Sequence, residues 1–401
     1  MKFKTLAVVL ATVFLALVLV GCGGGGSDSG SGDDAKGMTT YTIGVASPFT
    51  QGAVSIGQGI KRGAQLAIDT MNASDEAKDA GIQFKMVEGD DMGDPKTAVT
   101  VANTLVSNSN LIGVVGHYNS GCSIPASDVY NEAGVVMVSP GSTNPDLTKL
   151  GREFVFRTCA TDDLQGPAGA DFALALGYKT AVVVDDSTPY GEGLAEFFTG
   201  AFVAGGGEIL FAEKTQDKDS DFNALVTKIN AANPDIVFYA GMAEPAGALF
   251  GKQLGETTDD TPVMGGDGMQ DAAYIKLGGP AVDGDYGTNV GYPIDKLPAG
   301  QQFVEDYQAK FTEDIGAFDA YAYDAAFAIM RAAIKAADGG EVSLTTPAGR
   351  EALLDALKNI KFDGVTGEIS FDAYGDTNNK VISLYRVEDG AWVYVDPSDL
   401  K

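Results

Sequence analysis

From Tyr41 onward, short runs of apolar residues alternate with longer stretches whose apolar positions recur at helical spacing. "YTIGVASPF" (41–49) reads as a strand and "IGQGIKRGAQLAIDTMN" (56–72) as an amphipathic helix. "IQFKMVEGDD" (82–91) is a second strand. The stretch 94–108 is a helix opened by Asp94, with Pro95 in the first turn, where a missing N–H costs nothing. Next come the strand "LIGVVGHY" (111–118), a short helix in "IPASDVYNEAG" (124–134) with Pro125 in its first turn, and the strand "VVMVSPG" (135–141). Strands this uniformly apolar predict a parallel sheet with helices on both faces.

The pattern restarts after "FVFRTCATDD" (154–163). Helices are expected over 163–177, 190–206, 221–234 and 244–256, and strands over 179–187, 208–215, 235–241 and 261–268. Three further helices follow, from about Pro298, within 317–338 and within 346–359. The closing stretches "VTGEISFDAYGD" and "VISLYRVEDGAWVYV" alternate in the manner of antiparallel strands. The class is therefore α/β, with two βα units of ordinary domain size joined near residues 155–160.

The first forty residues follow different rules. Lys2 and Lys4 precede an uncharged apolar run over 6–20, which is short for a membrane span and suits a signal peptide over 1–21. The run ends in Leu19-Val20-Gly21-Cys22, which resembles a bacterial lipobox, so Cys22 is the expected lipidated N-terminus of an exported protein. Residues 22–38 are then a flexible leash of Gly, Ser and Asp, and folding starts near Thr39.

Charge and chemistry narrow the function. Lys and Arg number 27 against 55 Asp and Glu, a formal net charge of −28, and no basic cluster occurs. Nucleic acid and anionic lipid headgroups are poor partners for such a surface. His117 is the one histidine, and Cys122 and Cys159 are the only cysteines beside Cys22. This is too few for a zinc site, and neither a G-x-S-x-G elbow nor a phosphate-binding P-loop is present. No cofactor or metal is expected, no catalytic residue is assigned, and an enzyme is the weaker reading. His117 reads as a packed, hydrogen-bonded residue. Cys122 and Cys159 are either joined by a disulfide, which export permits, or two buried thiols.

In open parallel sheets a ligand sits beyond the carboxyl ends of the strands. There the first unit places Ser120, then Gly141, Ser142 and Thr143, beside helix N-termini whose free N–H groups suit a carboxylate. The plainer alternative is that these hydroxyls cap their own helices. The second unit places Tyr190 and, between glycines, Asp267. Asp267 suits an ammonium, or else caps the helix that follows it. Together the two ends match an α-amino acid zwitterion.

The ordered set "DDMGDPKTAVTVANTLV", "GHYNSGCSIPASDVYNEAGVVMVSPGSTNPDLT", "FVFRTCATDDLQGP" and "DDSTPYGEGLAEFF" resembles the leucine/isoleucine/valine-binding protein family. These are the type I periplasmic solute-binding proteins of branched-chain amino acid ABC transporters. The resemblance covers residues 41–400. It implies two lobes, 39–158 with 290–377 and 159–289 with 378–401, joined by three crossovers around a ligand cleft. It also implies a monomer on the outer face of the cytoplasmic membrane, held by its lipid anchor and delivering an amino acid to a membrane permease.

Carried over by motif, the carboxylate seat falls on Ser120, Gly141 and Thr143 with Ser142 in the same loop, the aromatic lip on Tyr190, and the ammonium-binding acid on Asp267. Phe318 and Tyr321 are further cleft candidates. The chain departs from the pattern at Asp267, where the family typically has Glu, and at Met242, where it has an aromatic residue. Gly93 stands in place of a family cysteine, so a Cys122–Cys159 bridge would be a different one. Leu, Ile or Val is the expected ligand. The alternatives are a neutral solute such as urea or a short amide, and a sensor role toward a membrane partner.

Overall fold

The computed structural model describes residues 38–258, 261–337 and 342–400. The signal peptide, Cys22 and the leash up to residue 37 lie outside the described residues.

Five strands form the first sheet: β1 (Thr39–Ser47), β2 (Ile82–Asp90), β3 (Leu111–Gly116), β4 (Val136–Ser139) and β5 (Val155–Arg157). They are all parallel, in the order β2-β1-β3-β4-β5. Between them run α1 (Val54–Ala73), α2 (Asp75–Ala80), α3 (Pro95–Val106), α4 (Ser120–Ala133) and α5 (Asp146–Lys149). Every residue of β3 and β4 is buried, as continuous apolar runs require when helices cover both faces.

The second sheet repeats the scheme with β6 (Thr180–Asp185), β7 (Glu208–Lys214), β8 (Ile236–Ala240), β9 (Val263–Gly265) and β10 (Tyr286–Asn289). Its helices are α6 (Asp162–Ala175), α7 (Pro189–Ala204), α8 (Asn223–Ala232), α9 (Ala248–Gly255) and α10 (Ala272–Gly278). The chain then builds α11 (Pro298–Lys310), α12 (Asp319–Ala336), α13 (Pro347–Lys358) and a small hairpin, β11 (Phe362–Gly364) with β12 (Gly367–Ile369). Of two last strands, β13 (Ser383–Glu388) adds antiparallel to β10 and β14 (Ala391–Val395) antiparallel to β13, completing the order β14-β13-β10-β9-β8-β6-β7. The α12 helix packs on α1, β3 and β4 of the first sheet. The chain therefore passes between the sheets three times: after β5, after β10 and between β12 and β13.

Three expectations need correction. The helix expected from residue 124 begins at Ser120, because the Asn119 carbonyl accepts the Cys122 and Ser123 N–H groups, both at 2.9 Å. Pro125 thus sits inside α4, at the cost of one helical hydrogen bond. The stretch expected as one helix over 244–256 starts as a wide turn, Ala243–Gly247, before α9 takes over, since Glu244 is extended (φ −99°, ψ 130°).

The third concerns the cysteines. Cys122 and Cys159 are both free and buried, so the disulfide is absent. Cys122 packs with Ala98, Leu105 and Val114 on one side of the first sheet, whereas Cys159 belongs to the core shared with Tyr118 and Phe156. The Cys159 thiol instead meets the Ser142 carbonyl at 3.6 Å. Burial pushes both thiols up, which leaves them unreactive.

Candidate functional site

The loops after β3 and β4 are held to each other by their own hydroxyls. The His117 carbonyl accepts from Ser123 Oγ (3.0 Å), Ser139 Oγ (2.7 Å) and Ser142 Oγ (3.3 Å), and Ser142 Oγ also meets the Tyr118 carbonyl at 2.7 Å. Ser142 is therefore turned into the loop and fully buried, away from the cleft. The His117 imidazole pairs with Asp91 Oδ2 at 2.6 Å and Tyr130 Oη at 3.0 Å, a satisfied core position. Below, the buried Arg157 guanidinium binds Asp376 Oδ1 (2.6 Å), Thr148 Oγ1 (2.7 Å) and the carbonyls of Ser142 (2.7 Å) and Asn144 (2.9 Å). One cation thus fixes the loop that carries Ser142 and Thr143 and ties it to the third crossover.

What this leaves for a ligand is the start of α4. Asn119 provides no side-chain cap, so the first N–H groups of the helix have no partner within it. Ser120 Oγ stands beside them and accepts the Asn144 N–H at 3.2 Å. At Gly141 a Cβ would lie 2.6 Å from the Tyr118 ring, so only glycine lets that ring cover the loop.

From the second sheet, α7 begins with Thr188 capping the Gly191 N–H at 3.0 Å and Pro189 in the first turn, which delivers Tyr190 to the cleft. The Tyr190 hydroxyl donates to Asp267 Oδ1 at 3.1 Å and accepts the Gly268 N–H at 3.1 Å. Asp267 is 1% exposed, and burial pushes its carboxyl up to about 6 against the help of Tyr190 and Gln165. It is thus ionised at neutral pH but poorly solvated, the condition in which a cation is most welcome.

The two halves face each other across a cavity of about 370 Å³. Ser120, Gly141, Tyr190 and Asp267 line it together, with Tyr118, Asn119, Met242 and Glu244. Asn144 Nδ2 reaches the Pro189 carbonyl at 2.7 Å and Glu244 Oε2 the Ser55 N–H at 3.4 Å, so the halves touch around the cavity. Thr143 is buried just behind the lining. Phe318 lies behind Tyr118, ring centroids 5.1 Å apart, and Tyr321 donates its hydroxyl to the Val290 carbonyl at the second crossover. Neither lines this cavity. Tyr118, Asn119 and Glu244 were not singled out in the sequence. Tyr118, an aromatic residue two places before Ser120 at a strand end, carried the one readable signal.

The periplasmic binding protein family model matches residues 40–391. A Leu/Ile/Val-binding protein homologue of Brucella melitensis is 33% identical over 351 residues, 87% of this chain and 92% of that one. Among solved structures, a leucine-binding protein of Thermotoga maritima superposes with a TM-score of 0.80 at 29% identity, covering 90% of this chain and 99% of that one. A branched-chain amino acid transporter substrate-binding protein of Streptococcus pneumoniae, in complex with isoleucine, gives 0.77 at 27% identity, covering 89% and 100%. Fold, cleft and relatives agree: this chain belongs to the periplasmic binding protein family, among the Leu/Ile/Val-binding proteins.

Proposed function

We propose that this protein is the lipid-anchored, extracytoplasmic receptor of an ABC importer and that it binds a branched-chain α-amino acid, Leu, Ile or Val. The observation that carries this reading is the opposition of two chemistries across one cavity. The α4 N-terminus with Ser120 receives the carboxylate, and Asp267, steadied by Tyr190, receives the ammonium. Gly141 and Thr143 complete the seat at the loop between them. Each charge-assisted hydrogen bond contributes about 1.5–3 kcal/mol, so a handful hold a zwitterion against the cost of closure. The aliphatic tail adds about 0.8 kcal/mol per buried CH2, and Met242 offers it an apolar wall.

The clamp divides into 39–158 with 290–377 and 159–289 with 378–401, and it works as a monomer that presents loaded ligand to a membrane permease. It binds and releases without chemistry, since His117, with Asp91 and Tyr130 for partners, is fully buried and absent from the cavity lining.

A thermal-shift screen of the full chain, stripped of carried-over ligand, tests the reading against the twenty amino acids, urea and short amides. A ligand that binds only the folded clamp raises its melting temperature by mass action. Selective shifts with leucine, isoleucine or valine support the proposal. Shifts with urea or amides alone replace it with a receptor for neutral solutes.

A further inference from the structure

One side chain joins the loop after β4 to the start of α7 across the cleft. Asn144 is 9% exposed, and its backbone and side-chain polar groups are all engaged. Its N–H donates to Ser120 Oγ at 3.2 Å, and its carbonyl accepts from Arg157 Nη1 at 2.9 Å and from the Leu147 N–H at 3.2 Å. In the side chain, Oδ1 accepts the Asp146 N–H at 2.9 Å and Nδ2 donates to the Pro189 carbonyl at 2.7 Å. An N–H needs an acceptor and a carbonyl needs a donor, so the amide has one permitted orientation. Ser120, Asp146, Leu147 and Arg157 all belong to the first sheet and its loops. Only the Nδ2 bond crosses to the other half.

Two glycines mark the same seam. A Cβ on Gly193, three residues after Tyr190 on α7, would lie 3.2 Å from Asn144 Nδ2. A Cβ on Gly121, in the first turn of α4, would lie 3.3 Å from Pro189 Cδ. Both fall inside the usual contact of about 3.5–4.0 Å, so the missing Cβ atoms bring the halves this close. Asn144 also stands between the two ends of the seat. Ser120 Oγ accepts from Asn144 and keeps its own proton for a carboxylate in the cavity it lines. Pro189 precedes Tyr190, whose hydroxyl holds Asp267. One residue thus reaches the carboxylate seat through its backbone and the amino-end seat through its side chain.

We propose that Asn144 is a positioning residue that latches the clamp shut, aligning Ser120 and Tyr190 on the ligand without touching the ligand itself. This rests on the amino acid reading of the cleft. Opening breaks the Nδ2 bond and leaves the bonds to Ser120, Asp146, Leu147 and Arg157 in place, so closing remakes the latch without rebuilding the loop. Its loss falls on the rate of ligand release and spares both entry and folding. The plainer role is that of a turn residue, with Oδ1 bonded two positions along the chain. The two roles use different atoms of one amide and are therefore separable.

Asn144→Asp separates them, because the carboxylate keeps the Asp146 bond and loses the donor toward Pro189. Stopped-flow fluorescence of the full chain with L-leucine should show release about tenfold faster, association little changed and the ligand-free melting temperature unaltered. Release at the wild-type rate, or a loss carried by association alone, overturns the latch. If Asn144→Asp does not fold, Gly193→Ala decides from the other half, since alanine is the better helix former and its methyl group presses on Nδ2. Faster release then supports the latch, and a higher melting temperature with unchanged release overturns it. If the wild type does not bind L-leucine, the amino acid reading fails by itself. Small-angle scattering of the ligand-free chains then decides the latch: a larger radius of gyration in Asn144→Asp supports it, and equal radii overturn it.

Discussion

The Tyr190 hydroxyl holds Asp267 Oδ1 at 3.1 Å and is itself held by the Gly268 N–H at 3.1 Å. One phenol thus fixes the direction of a carboxylate that has almost no water to orient it. Tyr190→Phe removes the donor and leaves the ring. L-leucine affinity should fall by about 1.5–3 kcal/mol, roughly ten- to a hundredfold, with little change in melting temperature. Isothermal titration calorimetry beside a thermal melt separates the two effects, and an unchanged affinity would remove Tyr190 from the site.

The buried acids set a pH dependence with a definite sign. Burial raises Asp186, Asp267 and Asp324 to about 6 and Asp285 to about 7, each from an ordinary value of 3.8. The native state therefore holds these protons more tightly than the unfolded chain. Their stabilising contribution is complete below about pH 4 and is lost as pH rises through 6 to 7. Carboxyls held low by hydrogen bonds, such as Asp94 and Asp235, act in the opposite direction only in stronger acid. Ligand-free protein should melt higher near pH 5.5 than near pH 8. Zwitterion affinity should run the other way, falling about tenfold per pH unit below about 6 as Asp267 protonates.

Asp267→Asn should expose the same conflict in one substitution. It removes a poorly solvated charge, so the melting temperature near pH 8 should rise, while L-leucine affinity falls by about a hundredfold or more. A variant that is both less stable and fully able to bind would contradict the assignment of the amino end.

At Gly141 a methyl group would press on the Tyr118 ring from 2.6 Å, and Phe318 behind it leaves the ring little room. Gly141→Ala should cost about 1–3 kcal/mol of stability by overpacking and weaken ligand binding as the seat widens. Chemical denaturation and calorimetry would show both; a neutral outcome would mean that Tyr118 can move aside.

Arg157 is a fully buried charge whose three guanidinium nitrogens are all engaged, by Asp376, Thr148, Ser142 and Asn144. Arg157→Ala leaves Asp376 buried without its cation and should cost about 3–5 kcal/mol. Denaturant titration gives the figure directly.

Cys122 and Cys159 should resist alkylation in the native protein, and both should be labelled on unfolding without reductant. Peptide mass spectrometry reads the outcome, and a peptide pair joined through the two cysteines would overturn the free-thiol assignment.

Element order was legible because its cause is local. The uniform apolarity of 111–116 and 236–240 requires cover on both faces, and the alternation in 383–395 requires one covered face; each signal lies within a few consecutive residues. Ser120, Gly141, Tyr190 and Asp267 could be picked out for a related reason, since a ligand can reach only the carboxyl ends of such strands. The tertiary structure decided what depends on direction across the sheets. Ser142, unlike Ser120, has the carbonyls of Tyr118 and His117 within 2.7 and 3.3 Å, which draw its hydroxyl inward. Cys122 and Cys159 stay unjoined because each packs in a different cluster. Periodicity reports which residues are buried; the partner each buried polar group meets, or fails to meet, is settled by segments far away in the chain.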